Sequence, residues 1–130
     1  MNDQTPKQIV VAGFGFTSNA TPESFAQALK ATGYKDKIDL LATPSDKALQ
    51  PAFLDFGRAQ RLIANAVTRN ALEAAETKTQ SFLSRLMRRT GSVAEAAALA
   101  AAGPGSTLIV TRQISNDRMA TCAIAKGADA

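Results

Sequence analysis

Apolar runs separated by polar turns along the first half of the chain predict strands that alternate with helices. A β-branched run at residues 9–11 lies within a predicted strand at residues 8–12 and is typical of a strand buried on both faces. Thr21 before Pro22 predicts a helix N-terminus, because threonine caps the first amides and proline fits the first helical position. Gly33 ends that helix, and later strands are predicted at residues 38–42 and 61–64.

Between those two later strands, Gln50 and Pro51 predict a helix that Gly57 keeps short, since glycine weakens a helix interior by about 1 kcal/mol. The second half of the chain is richer in helices. Helical segments are predicted at residues 70–75, 81–90 and 93–102, with a polar break at 76–80; strands follow at 107–111 and 119–125.

These elements predict a three-layer α/β/α fold in one domain at residues 8–127, after a flexible tail at 1–7. The polar loop at residues 112–118 permits a C-terminal antiparallel hairpin. The sheet is therefore expected to be mixed but mostly parallel, with about five strands and helices on both faces.

Composition excludes several classes of chemistry. The 130 residues contain no His and one Cys, so histidine-dependent nucleophilic catalysis, imidazole-bound metals and an internal disulfide are excluded. Cys122 lies in an apolar strand and is expected to be a buried, inert thiol. No cofactor and no metal is expected. The polar N-terminus and the shortness of the apolar runs predict a cytoplasmic protein that does not enter a membrane.

Positive charge is concentrated in residues 58–90, which hold seven Lys and Arg residues against two Glu. This segment indicates an acidic partner, although a solvated helix face explains it equally well. Few aromatic residues are interleaved with the basic ones, which argues against nucleic acid as the partner. The alternative is a protein partner that docks on the predicted helix carrying Arg85, Arg88 and Arg89.

A Gly-x-Gly segment follows the first strand, and the sequence predicts a glycine turn at Gly13 and Gly15. Ser18 stands where a dinucleotide fingerprint has its third glycine, and the helix begins too late for that tight turn. Two interpretations remain. Either the glycines only allow a chain reversal, or they belong to a ligand-facing loop in which glycine removes side-chain bulk and Thr17 and Ser18 donate hydrogen bonds.

Two further segments carry candidate chemistry. Lys47 follows the second predicted strand and Thr43, and it either pairs with a carboxylate or is simply solvated. Gly91 precedes Ser92, which forms a predicted capping box with Glu95 at a helix N-terminus that could hold an anion. Plain capping explains the same residues.

Four segments of the chain, taken together, resemble the CobE family of cobalamin biosynthesis, whose domain also forms the C-terminal part of CbiG. They occur in the family's order and span nearly the whole chain. Members often carry Cys and Arg just after the glycines, where this chain has Phe16, Thr17 and Ser18. The four segments are VAGFGFTSNATPESF, LLATPSDKALQPAFLDF, GSVAEAAALAAAG and MATCAIAK.

The resemblance implies an α/β domain that binds or processes a precorrin or corrin-ring tetrapyrrole, which carries acetate and propionate carboxylates. For CbiG-like members it implies opening of a ring lactone with loss of acetaldehyde, and the catalytic candidates here are Lys47 and Glu95. The alternatives are a non-catalytic carrier, an accessory module docking on other corrin-pathway enzymes, or an unrelated small-anion or nucleotide-binding domain. The expected ligand-binding residues are Gly13, Gly15, Phe16, Thr17, Ser18, Thr43, Lys47, Gly91, Ser92 and Glu95.

Overall fold

The computed structural model describes residues 8–79 and 92–128, and five strands and four helices lie within these ranges. Strands and helices alternate up to the third helix, as the hydrophobic pattern predicts. In chain order the strands are β1 (Val10–Phe16), β2 (Leu40–Pro44), β3 (Ala64–Val67), β4 (Thr107–Ile114) and β5 (Ala120–Lys126). The helices are α1 (Pro22–Ala31), α2 (Pro51–Gln60), α3 (Arg69–Thr79) and α4 (Ser92–Ala102).

The five strands form one mixed sheet in the order β3-β2-β1-β5-β4. β1 pairs in parallel with β2, which pairs in parallel with β3. β5 runs antiparallel to both β1 and β4, so four of the five strands point the same way and β4 and β5 form a hairpin. The predicted α/β fold with a mixed, mostly parallel sheet and a C-terminal hairpin is confirmed.

Each face of the sheet has its own apolar core. On one face, α1 and α2 bury an aromatic cluster in which Phe14 of β1 meets three other rings edge-on, at centroid distances of 5.5–5.7 Å. On the other face, the alanines of α4 pack on Val11 and Ala42, with Leu72 of α3 at the margin. Small side chains let α4 approach the sheet closely, whereas the phenylalanines fill the wider space under α1 and α2.

The predicted glycine turn after the first strand is wrong, because β1 continues through Gly13 and Gly15 to Phe16. Packing of α4 on β1 explains the first glycine. A Cβ atom at Gly13 would lie 2.3 Å from the carbonyl oxygen of Ala94 and 2.5 Å from the amide nitrogen of Ala98. Gly13 therefore gives room to the backbone of a helix rather than allowing a reversal of the chain.

Helix α1 begins where the sequence predicts. The Thr21 hydroxyl accepts a hydrogen bond from the Ser24 amide at 3.3 Å, and the Ser24 hydroxyl accepts one from the Thr21 amide at 3.0 Å. Pro22 occupies the first helical position, and Phe25 faces the core. The reciprocal caps satisfy two amides that would otherwise lack a partner within the helix.

Other boundaries differ from those predicted. α2 runs for ten residues through Gly57, because burial of Phe53 and Phe56 outweighs a glycine cost of about 1 kcal/mol. Since α2 continues to Gln60, β3 begins at Ala64 instead of residue 61. α3 extends through most of the predicted polar break at residues 76–80, and β4 reaches two residues beyond the predicted start of the polar loop at 112–118, to Ile114.

The predicted tail at 1–7 and the predicted helix at 81–90, with Arg85, Arg88 and Arg89, lie outside the described residues.

The two ends of the described domain lie side by side. The Gln8 side-chain amide donates to the carbonyl oxygen of Gly127 at 3.1 Å, and the Gly127 amide donates to the carbonyl oxygen of Ile9 at 2.8 Å. Both contacts extend the pairing of β1 with β5 at the amino end of β1. Among the helices that the structure describes, none is long and apolar enough to cross a membrane.

Candidate functional site

A cavity of about 810 Å³ opens where the carboxyl ends of β1, β2 and β3 meet the amino end of β5. α1 leaves β1 on one face of the sheet and α4 returns on the other, and open α/β sheets bind ligands at such a switch point. The loops after these strands, the starts of α3 and α4 and the β4–β5 turn form the walls. The lining residues are Gly15, Phe16, Thr17, Pro44, Ser45, Asp46, Lys47, Val67, Arg69, Leu72, Val93, Arg118, Met119, Ala120 and Thr121.

The structure brings four of the ten expected site residues to this cavity, namely Gly15, Phe16, Thr17 and Lys47. Ser18 is exposed beside Thr17. Three others lie behind the surface: Gly13 is covered by α4, and Thr43 and Glu95 are buried. Gly91 lies outside the described residues, and for Ser92 the structure describes only its place at the start of α4.

Lys47 is fixed at the end of β1. Its ammonium group donates to the carbonyl oxygen of Phe16 at 2.9 Å and lies 5.2 Å from the centroid of the Phe16 ring. That ring in turn stacks on Phe53 and meets Phe25 edge-on, at 5.4 and 4.7 Å between centroids. An ammonium group has three protons to donate, and contacts within residues 8–79 and 92–128 use one of them, which leaves two for a ligand at the floor of the cavity.

The loop after β1 is tied to the β4–β5 turn. The Thr17 amide donates to the carbonyl oxygen of Met119 at 3.0 Å, and the Thr17 hydroxyl lies 3.3 Å from the Met119 sulfur. Because both residues line the cavity, these contacts hold two of its walls together at a fixed separation.

Two arginines at the cavity were not among the predicted site residues. Arg69 begins α3 and Arg118 lies in the β4–β5 turn; in the described part of the chain neither guanidinium forms a hydrogen bond or ion pair. Together with Lys47 they give the described part of the lining three cations against one carboxylate, Asp46. The sequence placed Arg69 in a basic segment and Arg118 at the end of a polar loop, but no local pattern assigns either to the edge of a sheet.

Glu95 fastens α4 to β4. Its carboxylate accepts a hydrogen bond from the Arg112 amide at 3.0 Å, and the residue is only 4% exposed. Glu95 does not line the cavity, so its carboxylate is engaged with a strand rather than turned toward the ligand space.

Cys122 is fully buried in β5, and burial raises the pKa of its thiol. The expectation of a buried, unreactive cysteine is confirmed in its placement. Across residues 8–79 and 92–128, no three Cys, Asp or Glu side chains cluster as a metal site would require.

Thr43→Val is expected to lower the free energy of unfolding by about 1 kcal/mol and to leave ligand binding unchanged. The Thr43 hydroxyl is buried and donates to the carbonyl oxygen of Phe14 at 2.9 Å, so valine keeps the shape and loses the hydrogen bond. Urea unfolding monitored by circular dichroism measures the difference. Thr107→Val, on an exposed position of β4, is the matched control and is expected to change stability by less than about 0.5 kcal/mol. Weaker ligand binding by Thr43→Val without a loss of stability would contradict a purely structural role for Thr43.

Residues 10–125 match the protein family described as Cobalamin synthesis G C-terminus. The crystal structure of the cobalamin biosynthesis protein chiG from Agrobacterium tumefaciens is 33% identical, with a TM-score of 0.73 over 93% of this chain and 100% of that one. The structure of CobE, a protein from the cobalamin (vitamin B12) biosynthetic pathway, has 21% identity and a TM-score of 0.78 over 98% and 96% of the two chains, a likeness in fold. A comparison with curated protein sequences gave no match.

Proposed function

Since this chain belongs to the Cobalamin synthesis G C-terminus family and is a cobalamin biosynthesis protein of the CbiG/CobE type, we propose that it binds a precorrin-like tetrapyrrole. The proposed site is the cavity at the carboxyl ends of β1, β2 and β3. One observation carries the proposal: a wide cavity in which three cations border an apolar surface.

The lining suits the chemistry of such a ligand. Tetrapyrrole intermediates are flat, largely apolar rings with carboxylates at their edge, so a site for them needs a broad apolar wall and positive charge at the rim. Val67, Leu72 and Val93 supply apolar surface, and Gly15 adds no side chain that would narrow the space. A volume of about 810 Å³ lies within the ordinary range of small-molecule sites.

Positive charge approaches the cavity from three separate segments of the chain. Lys47 follows β2, Arg69 follows β3, and Arg118 precedes β5. Carboxylates spread around a macrocycle could each meet a different cation, which a single anion could not do. The distribution therefore favours a polycarboxylate over a small anion such as phosphate.

A carrier role is the second candidate, and the state of the two predicted catalytic residues favours it. Opening of a lactone by water needs a general base near the ester and a donor for the oxyanion. The Glu95 carboxylate already accepts a hydrogen bond from the Arg112 amide, and the Lys47 ammonium group already donates one to the carbonyl oxygen of Phe16. In the described part of the lining, Asp46 is the carboxylate that could activate a water.

A titration with cobyrinic acid, a corrin with free carboxylic acid side chains, tests the proposal. We expect a saturable change in the visible absorbance of the corrin, and much weaker binding of its fully esterified form because the ester lacks charge. Lys47→Met should raise the dissociation constant about fivefold, as for loss of one partly exposed charged hydrogen bond. Lys35→Met, an exposed lysine outside the cavity, is the control and should bind as the wild type does.

The absence of any absorbance change with cobyrinic acid and with a lactone-bearing precorrin would refute the proposal. Stabilisation by inorganic phosphate or a nucleotide in a thermal-shift assay would then support a small-anion site. If the precorrin binds and is recovered unchanged, the carrier role is supported. Release of acetaldehyde that Asp46→Asn abolishes would instead establish a reaction at this cavity.

A further inference from the structure

We propose that Arg118 recognises a carboxylate of the ligand at the rim of the cavity, and that Asp117 is the positioning residue that holds the Arg118 backbone in place. The inference rests on the proposed function, because it assigns a role within the same binding site. It is carried by the geometry of the β4–β5 turn and by the position of that turn over the end of β1.

Arg118 has an unusual backbone conformation for its residue type. Its φ angle is +63°, in the left-handed region that glycine occupies at little cost and other residues avoid. The turn is otherwise regular: the Arg118 amide donates to the carbonyl oxygen of Ser115 at 2.9 Å, and the Ser115 amide donates to that of Ala120 at 2.8 Å. Glycine would suit this position at least as well for the fold alone, so the turn does not require an arginine side chain here.

Asp117 anchors the turn to the start of α1. Its carboxylate accepts hydrogen bonds from the Ser115 hydroxyl at 2.5 Å, the Ser24 hydroxyl at 2.6 Å and the Met119 amide at 3.0 Å. These bonds, with that from Ser115 the largest contribution, lower the pKa of Asp117, so the carboxylate stays charged near neutral pH. Ser115 and Met119 flank Arg118 in the chain and Ser24 belongs to α1, so these bonds fix the backbone from which the Arg118 side chain extends.

The anchor continues into the cap of α1. Ser24 is fully buried and its hydroxyl, which donates to Asp117, also accepts from the Thr21 amide at 3.0 Å. The position of Arg118 is therefore coupled to the start of α1, and through Met119 to the loop after β1. Preorganisation of this kind lowers the entropy cost of ordering a long side chain when it meets its ligand.

Arg118 and Lys47 approach the end of β1 from different loops and line the same cavity. In the described part of the chain the Arg118 guanidinium has no internal partner, so its donors are available to a ligand. A guanidinium can hold a carboxylate through two parallel hydrogen bonds, which an ammonium cannot do. Arg118 therefore provides the directional contact and Lys47 the fixed charge.

Arg61 offers a matched control. It closes α2 with a φ angle of +60°, is exposed, and lies beside a separate cavity of about 420 Å³. Arg61→Gly and Arg118→Gly thus remove the same side chain from the same backbone conformation, and only the second does so at the proposed site.

The test compares cobyrinic acid binding and thermal unfolding of the wild type, Arg118→Gly and Arg61→Gly. We expect both variants to unfold at the wild-type temperature or above it, since glycine fits the left-handed conformation. Arg118→Gly should raise the dissociation constant about tenfold and Arg61→Gly should leave it unchanged. For the fully esterified corrin, the loss in Arg118→Gly should disappear.

Equal affinity of the wild type and Arg118→Gly for cobyrinic acid would overturn the inference while leaving the proposed function intact. Failure of the wild type itself to bind would refute the proposed function, and this inference with it. The positioning role is tested by Asp117→Asn. Asp117→Asn alone should raise the dissociation constant for cobyrinic acid about threefold, and it should have no effect when Arg118→Gly is also present. An equal loss in both backgrounds would assign Asp117 to general stability instead.

Discussion

Gly13→Ala is expected to destabilise the protein by about 3 kcal/mol, at the upper end of the usual cost of overpacking a core. The added methyl group would lie 2.3 Å from the Ala94 carbonyl oxygen, 2.5 Å from the Ala98 amide nitrogen and 2.8 Å from the Ala98 Cβ. Two of these atoms are helix backbone, which cannot turn aside as a side chain does. α4 would have to move away from β1 as a unit and lose its packing on the sheet.

Gly15→Ala is the control, because it adds the same atom two residues further along the same strand. Its nearest neighbour would be the Thr121 hydroxyl at 3.1 Å, and Val93 Cγ1 follows at 3.5 Å. Both belong to side chains beside the open cavity, so we expect a loss of less than about 1 kcal/mol. Urea unfolding of both variants measures the difference; equal losses would contradict the assignment of Gly13 to helix packing.

Phe14→Ala is expected to cost about 4 kcal/mol, as is typical for loss of a buried phenylalanine. Phe14 is fully buried and its ring meets those of Phe25, Phe53 and Phe56 edge-on. Removing it leaves a void between rings that α1 and α2 hold apart, so the neighbouring side chains can fill it only in part.

Denaturant unfolding of Phe14→Ala beside Leu49→Ala gives the measurement. Leu49 is 80% exposed, and its truncation should change stability by less than about 0.5 kcal/mol. A cost below about 1 kcal/mol for Phe14→Ala would mean that the aromatic cluster is not the core of that face. The cluster also bears on the site, because the Phe16 ring beneath Lys47 stacks on Phe53.

Elements with local signals could be predicted from the sequence. Thr21 and Pro22 predict the start of α1 because capping involves residues three apart. The hairpin of β4 and β5 follows from two apolar runs joined by a short polar loop. The expectation of a short α2 is wrong, since the length of this helix depends on two phenylalanines that pack in a core formed with distant residues.

Only part of the candidate site could be predicted from the sequence in the same way. Lys47 and the segment at residues 15–17 follow strands, and strand ends meet at the edge of a parallel sheet. A Gly-x-Gly segment, however, can occur either in a turn or in a strand that packs under a helix. Only the contact of Gly13 with Ala94 and Ala98 distinguishes the two cases. The role of Arg118 depends on Asp117 reaching Ser24, a partner 93 residues away that no local pattern reveals.

The hydrogen bond between Gln8 and Gly127 brings the two ends of this domain together, which suits the domain to fusion with other proteins. Its two ends emerge together at the amino end of β1, about 20 Å of strand away from the cavity at the other end. Tags, tethers or fused enzymes attached at either end would therefore leave the mouth of the cavity clear. A short linker could join the ends, so new termini could be opened in the exposed segment at residues 35–37 by circular permutation.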